Sequence, residues 1–170
     1  LMAENAEHIR IRGRGMLEGT TLLGRHPGYY REFVGRPKDV RRPRFARFDH
    51  CRDIEVEGII MNDPPAWCLA FYDCEDVRVR DVRQFGYVDN SDGIDIVSSR
   101  DVLVEDVFLR MNDDCVMLKS AGGIDCEDVE VLNSVLWSDR AQALQIGHET
   151  NSDAIRRVVI RVPNVDSRTL

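Results

Sequence analysis

Cys74-Glu75-Asp76-Val77-Arg78-Val79-Arg80-Asp81-Val82 decides the fold, because the same phrase returns along the chain. Cys51-Arg52-Asp53-Ile54-Glu55-Val56-Glu57-Gly58-Ile59 precedes it. Ser99-Arg100-Asp101-Val102-Leu103-Val104-Glu105-Asp106-Val107 and Cys126-Glu127-Asp128-Val129-Glu130-Val131-Leu132-Asn133-Ser134 follow. The copies start at 51, 74, 99 and 126, at intervals of 23, 25 and 27 residues. Repetition at this period marks a stacked repeat architecture. Degenerate copies stand near Glu7-His8-Ile9-Arg10-Ile11-Arg12 and near Ile155-Arg156-Arg157-Val158-Val159-Ile160. Within each copy β-branched apolar residues largely alternate with polar ones, as in Val77, Val79 and Val82. That alternation reads as a half-buried strand. No segment sustains a 3.6-residue period, so few helices are expected.

A coil of about 24 residues holds three short strands and three turns, and stacking pairs each strand with its copies above and below. The expectation is an all-β right-handed parallel β-helix (a solenoid) of about five to six coils. Residues 1–170 then form one domain, read as a piece of a longer helix and incomplete at both ends. A leucine-rich repeat is excluded, since its Leu-x-x-Leu-x-Leu pattern is missing. The repeated Asp53, Asp76, Asp101 and Asp128 read as turn residues that bond their own backbone. Residues 25–44 leave the repeat and are rich in Arg, Pro and Tyr. They read as a long loop, either a binding rim or a solvated connector.

A net charge of −7 argues against a nucleic-acid partner, because phosphate binding needs a basic surface. It suits an acidic polysaccharide only if a local basic patch lines the cleft. No apolar run approaches the roughly 20 residues that span a bilayer, so no membrane partner is expected. Five cysteines without a close-pair motif argue against a disulfide framework or a cysteine metal site. Cys51, Cys74 and Cys126 share one repeat position and read as small buried residues. No metal or cofactor is expected, and the chain reads as a monomer.

Registering the repeats aligns Asp92-Gly93-Ile94-Asp95-Ile96 with Asp114-Cys115-Val116-Met117-Leu118 and with Gln142-Ala143-Leu144-Gln145-Ile146. Trp67 falls in the same column one coil earlier. Trp67, Asp92, Asp114 and Gln142 should therefore stack on one face, with Asp113 beside them. Crowded carboxylates raise the pKa of at least one member, and a protonated acid beside ionised ones is what glycosidic cleavage requires. Spacing alone leaves calcium binding or turn decoration open as well.

Here the chain resembles glycoside hydrolase family 28, the polygalacturonases and their relatives. Asn90-Ser91-Asp92-Gly93-Ile94-Asp95 is similar to the family's Asn-Thr-Asp-Gly, and Asn112-Asp113-Asp114-Cys115-Val116 to its Gly-Asp-Asp-Cys. Asp92 and Asp113 lie 21 residues apart, which suits the pattern. Gly13-Arg14-Gly15-Met16-Leu17-Glu18-Gly19, Arg42-Pro43-Arg44-Phe45 and Pro64-Pro65-Ala66-Trp67 resemble further family segments, so the likeness runs from about residue 8 to 149. The resemblance implies an inverting hydrolase of α-linked pectic poly- or oligosaccharide. Asp113 would be the general acid, with Asp92 and Asp114 activating water. It also implies secretion or a periplasmic location if the full-length protein carries a signal peptide.

The family's Gly-His-Gly histidine corresponds to Gln142, while His148 stands a few residues later. The family's Arg-x-Lys substrate clamp is expected beyond Leu170. Lys119 and Arg140 are the local cations suited to a carboxylated sugar. Together with Trp67, Gln142 and His148 they make up the candidate substrate-binding set. Two rival readings stand beside this one: the same carboxylates acting on a neutral glycan, and a non-catalytic carbohydrate-binding β-helix.

Overall fold

The computed structural model describes residues 1–19, 44–152 and 154–167. The expected 25–44 loop lies, except for Arg44, outside the described residues. Eighteen strands and no helix make up the described chain. They form three six-stranded sheets, each of which takes every third strand in order. The first sheet is β1 (Met2–Glu4), β4 (Ala46–Asp49), β7 (Leu69–Tyr72), β10 (Ile94–Val97), β13 (Val116–Lys119) and β16 (Leu144–Ile146). The second holds the repeated phrase: β2 (Glu7–Arg12), β5 (Arg52–Glu57), β8 (Glu75–Arg80), β11 (Arg100–Glu105), β14 (Cys126–Leu132) and β17 (Ile155–Arg161). The third is β3 (Met16–Glu18), β6 (Ile60–Asn62), β9 (Arg83–Phe85), β12 (Phe108–Met111), β15 (Val135–Ser138) and β18 (Asn164–Ser167). Every pairing between these strands is parallel, so the chain is a parallel β-solenoid.

The core is a set of columns running along the solenoid axis. Ile54, Val77, Val102 and Val129 occupy one column of the second sheet, and Val56, Val79, Val104 and Val131 the next. All eight are buried. On the first sheet Phe48 stacks on Phe71, with ring centroids 5.1 Å apart and planes 12° from parallel. The five cysteines are free and buried, in keeping with the small-residue reading of the repeat position.

One outward column of the second sheet alternates in charge throughout. Glu7, Arg52, Glu75, Arg100, Glu127 and Arg156 follow one another from coil to coil. Arg52 and Arg100 reach Glu75 at 2.9 and 2.7 Å, and Arg156 reaches Glu127 at 2.7 Å. Exposed pairs of this kind add little stability individually. Their alternation does oppose a slip by one coil, which would set like charges against each other.

One expectation needs correction. Asp53, Asp76, Asp101 and Asp128 are not turn residues but lie inside strands, with φ of 53°, 55°, 55° and 54°. Each is skipped in the pairing register opposite its counterpart, so every strand carries the same left-handed kink at this position. The column demands a left-handed backbone, which Asp tolerates better than β-branched residues do. The side chains bond across coils or along the strand: Asp53 to His8 and Arg10, Asp76 to Arg78, and Asp128 to Arg157.

Asp101 tests this assignment cleanly, because among the described residues no ion pair joins its side chain. Asp101→Asn should leave urea-unfolding stability nearly unchanged, whereas Asp101→Val should lose about 1–2 kcal/mol from left-handed strain. Equal stability of the two variants would contradict a left-handed backbone at this column.

Candidate active site

The site forms where the turns leading into the first sheet stack. Asp92 ends the turn between β9 and β10, Asp113 and Asp114 lie between β12 and β13, and Gln142 precedes β16. Backbone hydrogen bonds lock these turns in register: Cys68 N–H to Asp92 O at 2.8 Å, Gly93 N–H to Asp114 O at 2.8 Å, and Cys115 N–H to Gln142 O at 3.0 Å. Phe45 N–H bonds Trp67 O at 2.9 Å in the same way. The column is therefore Arg44, Trp67, Asp92, Asp114 and Gln142, one residue per coil. Gly93 has a steric reason to be glycine. A Cβ there would collide with the Cys115 carbonyl oxygen and the Gln84 amide, so only glycine lets the Asp92 turn sit this close to the next coil.

The three carboxyl groups are held in different ways. Asp92 is buried, and its Oδ1 has no hydrogen-bond partner. Burial first, and then the charges of Asp95, Asp113 and Asp114, push its pKa up to about 9. Asp114 accepts the Gln142 N–H at 2.9 Å, and its pKa is raised by burial, with Asp113 adding repulsion and the Gln142 N–H, Lys119 and His148 opposing. Asp113 is half-buried and accepts the backbone N–H groups of Asn90 at 3.0 Å and of Asp114 at 3.1 Å. The Ser138 hydroxyl donates to the Asp113 carbonyl at 2.9 Å and so ties this turn to the next coil.

A fourth acid joins them. Asp95, in the middle of β10, points outward between Ile94 and Ile96 and is completely buried. Burial raises its pKa, while Lys119 and Arg44 oppose the rise. Lys119 Nζ lies 3.3 Å from Asp95 Oδ1 and 3.0 Å from Glu149 Oε2. Burial tends to discharge the Lys119 ammonium, but these two acids outweigh it and keep its pKa above the usual value. The same ammonium sits 3.8 Å from the centre of the Trp67 ring, and the Arg44 guanidinium also lies 3.8 Å from that centre. Beside the carboxylates opens a cleft of about 480 Å³, lined by Arg44, Trp67, Tyr72, Asn90, Lys119 and Glu149 among others.

The sequence-predicted residues thus divide. Asp92, Asp113 and Asp114 influence one another electrostatically, Trp67 and Lys119 touch, and Gln142 meets Asp114 through its backbone. His148 is exposed but within electrostatic reach of Asp114, and Arg140 is exposed and paired with Asp89 at 3.4 Å. Sequence reasoning missed Asp95, Arg44, Glu149 and Asn90 as parts of the site. Asp95 carried a signal: an acid at an outward position of an otherwise apolar strand. Asn90 and Glu149 lie in turns whose side-chain directions no period encodes.

Stability should record the proton on this cluster. Asp92 and Asp95 have raised pKa values in the fold, so their contribution is full below the unfolded carboxylate range. It is lost as pH rises from about 4 upward through the raised values. The acids with lowered values, such as Asp53 and Glu55, each at about 2, act in the opposite sense and only at acid pH. Wild-type stability should therefore fall from mildly acid to alkaline pH, and Asp92→Asn should flatten that limb in denaturant titrations at several pH values. An unchanged slope would contradict the assignment.

Similarity to known proteins supplies the family. Residues 1–138 match the family described as glycosyl hydrolases family 28. Polygalacturonase QRT2 of Arabidopsis thaliana is 25% identical over 136 residues, covering 74% of this chain and 30% of the relative. The probable rhamnogalacturonase A of Aspergillus oryzae is 32% identical over 120 residues, covering 69% of this chain and 25% of the relative. Among solved structures, the hyperthermoactive exopolygalacturonase of Thermotoga maritima superposes with a TM-score of 0.63 at 29% identity, over 71% of this chain and 29% of that one. The chain therefore spans about a third or less of the length of these relatives. With the repeat, the stacked Asp column and a match over most of its length, this chain belongs to glycosyl hydrolases family 28.

Proposed function

We propose that the protein of which this chain is part hydrolyses α-linked pectic poly- or oligosaccharide by inverting acid–base catalysis, with Asp92, Asp113 and Asp114 as its catalytic carboxylates. The observation that carries this reading is the column itself. Stacked coils bring three acids to one face beside an aromatic cleft, and burial with mutual repulsion keeps a proton on Asp92. A carboxylic acid beside ionised carboxylates supplies both halves of glycosidic cleavage: one protonates the leaving oxygen and another activates water. Family membership, and relatives named polygalacturonase and rhamnogalacturonase, support a pectic substrate. Trp67, whose ring carries the Lys119 ammonium and the Arg44 guanidinium, is with Gln142, His148, Lys119 and Arg140 the proposed substrate-binding set.

In the first division of labour, Asp113 is the acid and Asp92 and Asp114 hold the water. Close stacking of the carboxylates on neighbouring coils does not by itself demand retention, because side-chain direction can widen the gap to the ~6.5–9.5 Å that leaves room for water. A second division is favoured by one observation. The proton resides most readily on Asp92, while both Asp113 oxygens accept N–H groups. Asp92 would then be the donor.

An activated substrate separates the two. In the full-length protein Asp113→Asn should lower turnover of natural oligogalacturonide by about 10²–10⁴-fold. It should cost much less with a substrate whose leaving group departs without protonation, whereas Asp92→Asn should cost rate on both. The reverse pattern would assign the proton to Asp92. Full activity of both variants on the natural glycan would end the carboxylate assignment. Proton NMR of the first-formed sugar should show an inverted anomeric centre.

A further inference from the structure

We infer that Arg44 is the group that recognises the carboxylate of a uronic acid residue in the cleft, an inference that rests on the proposed pectic substrate. An anionic sugar approaching Asp92, Asp95, Asp113 and Asp114 meets repulsion, and the chain as a whole is at −7. Binding therefore demands a cation that is not already neutralised. Lys119 is buried and holds Asp95 and Glu149 at 3.3 and 3.0 Å, so its charge is committed. Arg140 is engaged with Asp89 at 3.4 Å.

Arg44 differs from both. It lines the cleft and feels Asp95 and Glu149 only through space: among the described residues it makes no ion pair and no hydrogen bond, and its buried Nε lacks an acceptor. The contact that holds it is the face of Trp67, 3.8 Å from guanidinium carbon to ring centre. An aromatic face fixes the plane of a guanidinium while leaving its in-plane N–H donors unspent. Those donors match the two oxygens of a carboxylate, a fork-to-fork geometry that an ammonium cannot provide. Arg44 also belongs to the column that contains Asp92 and Asp114, two coils from Asp92 with Trp67 between them. A carboxylate held by Arg44 thus belongs to a sugar lying along the solenoid axis across Trp67, close to the carboxylates that would cleave the chain.

The test compares trigalacturonate with its fully methyl-esterified form on the full-length protein, in wild type, Arg44→Met and Arg44→Lys. Calorimetry gives affinities and reducing-end release gives kcat/KM. Methionine keeps a long unbranched side chain and removes the charge that lies over Trp67, while lysine keeps the charge and removes the fork. A charge-assisted pair supports about a ten- to hundredfold effect. The wild type should prefer the free acid, and Arg44→Met should reduce that preference about tenfold or more in both affinity and KM. Arg44→Lys, which also reports if the methionine variant fails to fold, should fall between the two. An unchanged preference in the variants, or no affinity of the wild type for the free acid, overturns the inference. Binding that depends on the carboxylate and on Arg44 without any bond cleavage would uphold the inference and reject the hydrolase reading. Cleavage with an unchanged preference would do the opposite.

Discussion

Everything in this molecule depends on in-register parallel hydrogen bonding between coils. Each strand pairs with its counterpart about 4.8 Å away, and no described strand pairs within its own coil. A residue's neighbours are consequently those at the same repeat position, not those nearby in sequence. That single constraint builds the valine columns of the core, the column of left-handed aspartates and the alternating charges of the second sheet. It also builds the carboxylate site. Asp92 and Asp114 are 22 positions apart in the chain, yet the Gly93 N–H to Asp114 carbonyl bond makes them neighbours.

Such stacking costs electrostatic energy wherever like charges share a column. On the second sheet the cost is avoided by alternation of Glu and Arg from coil to coil. On the first sheet it is retained: Asp92, Asp95, Asp113 and Asp114 gather with Lys119 as the one buried counter-ion among the described residues. A solenoid able to alternate charges on one face does not do so on the face that bears the cleft. The contrast is an argument that the acidic cluster serves chemistry, because stability alone would favour neutralising it.

Much of this was legible in the sequence, for a physical reason. Period-2 alternation and a repeat of about 24 residues are direct consequences of strand pleat and coil circumference. The fold and the Trp67–Asp92–Asp114–Gln142 column therefore followed from counting. What counting misses is the local backbone and the direction of side chains. Asp76 looked like a turn residue that bonds its own backbone, but it sits at a left-handed φ inside β8. Lys119 read as a cation for a carboxylated sugar or as a surface residue of a strand. It is buried because its outward position on β13 faces Asp95 and Trp67, a pairing set by side-chain reach and not by register. Arg44 was visible as the end of a basic stretch and within the family-like Arg42-Pro43-Arg44-Phe45 segment, but its stacking on Trp67 belongs to the three-dimensional column.

The central claim is that burial, reinforced by the neighbouring acids that stacking brings up, keeps a proton on Asp92 at neutral pH. Carbon-13 NMR of the protein labelled at aspartate carboxyl carbons, titrated from acid to alkaline pH and assigned with Asp92→Asn, tests it most directly. The account predicts one resonance, absent in Asp92→Asn, that stays at its protonated shift through neutrality and moves only in the alkaline range. Titration of every aspartate within the ordinary carboxylate range near pH 4 would contradict it.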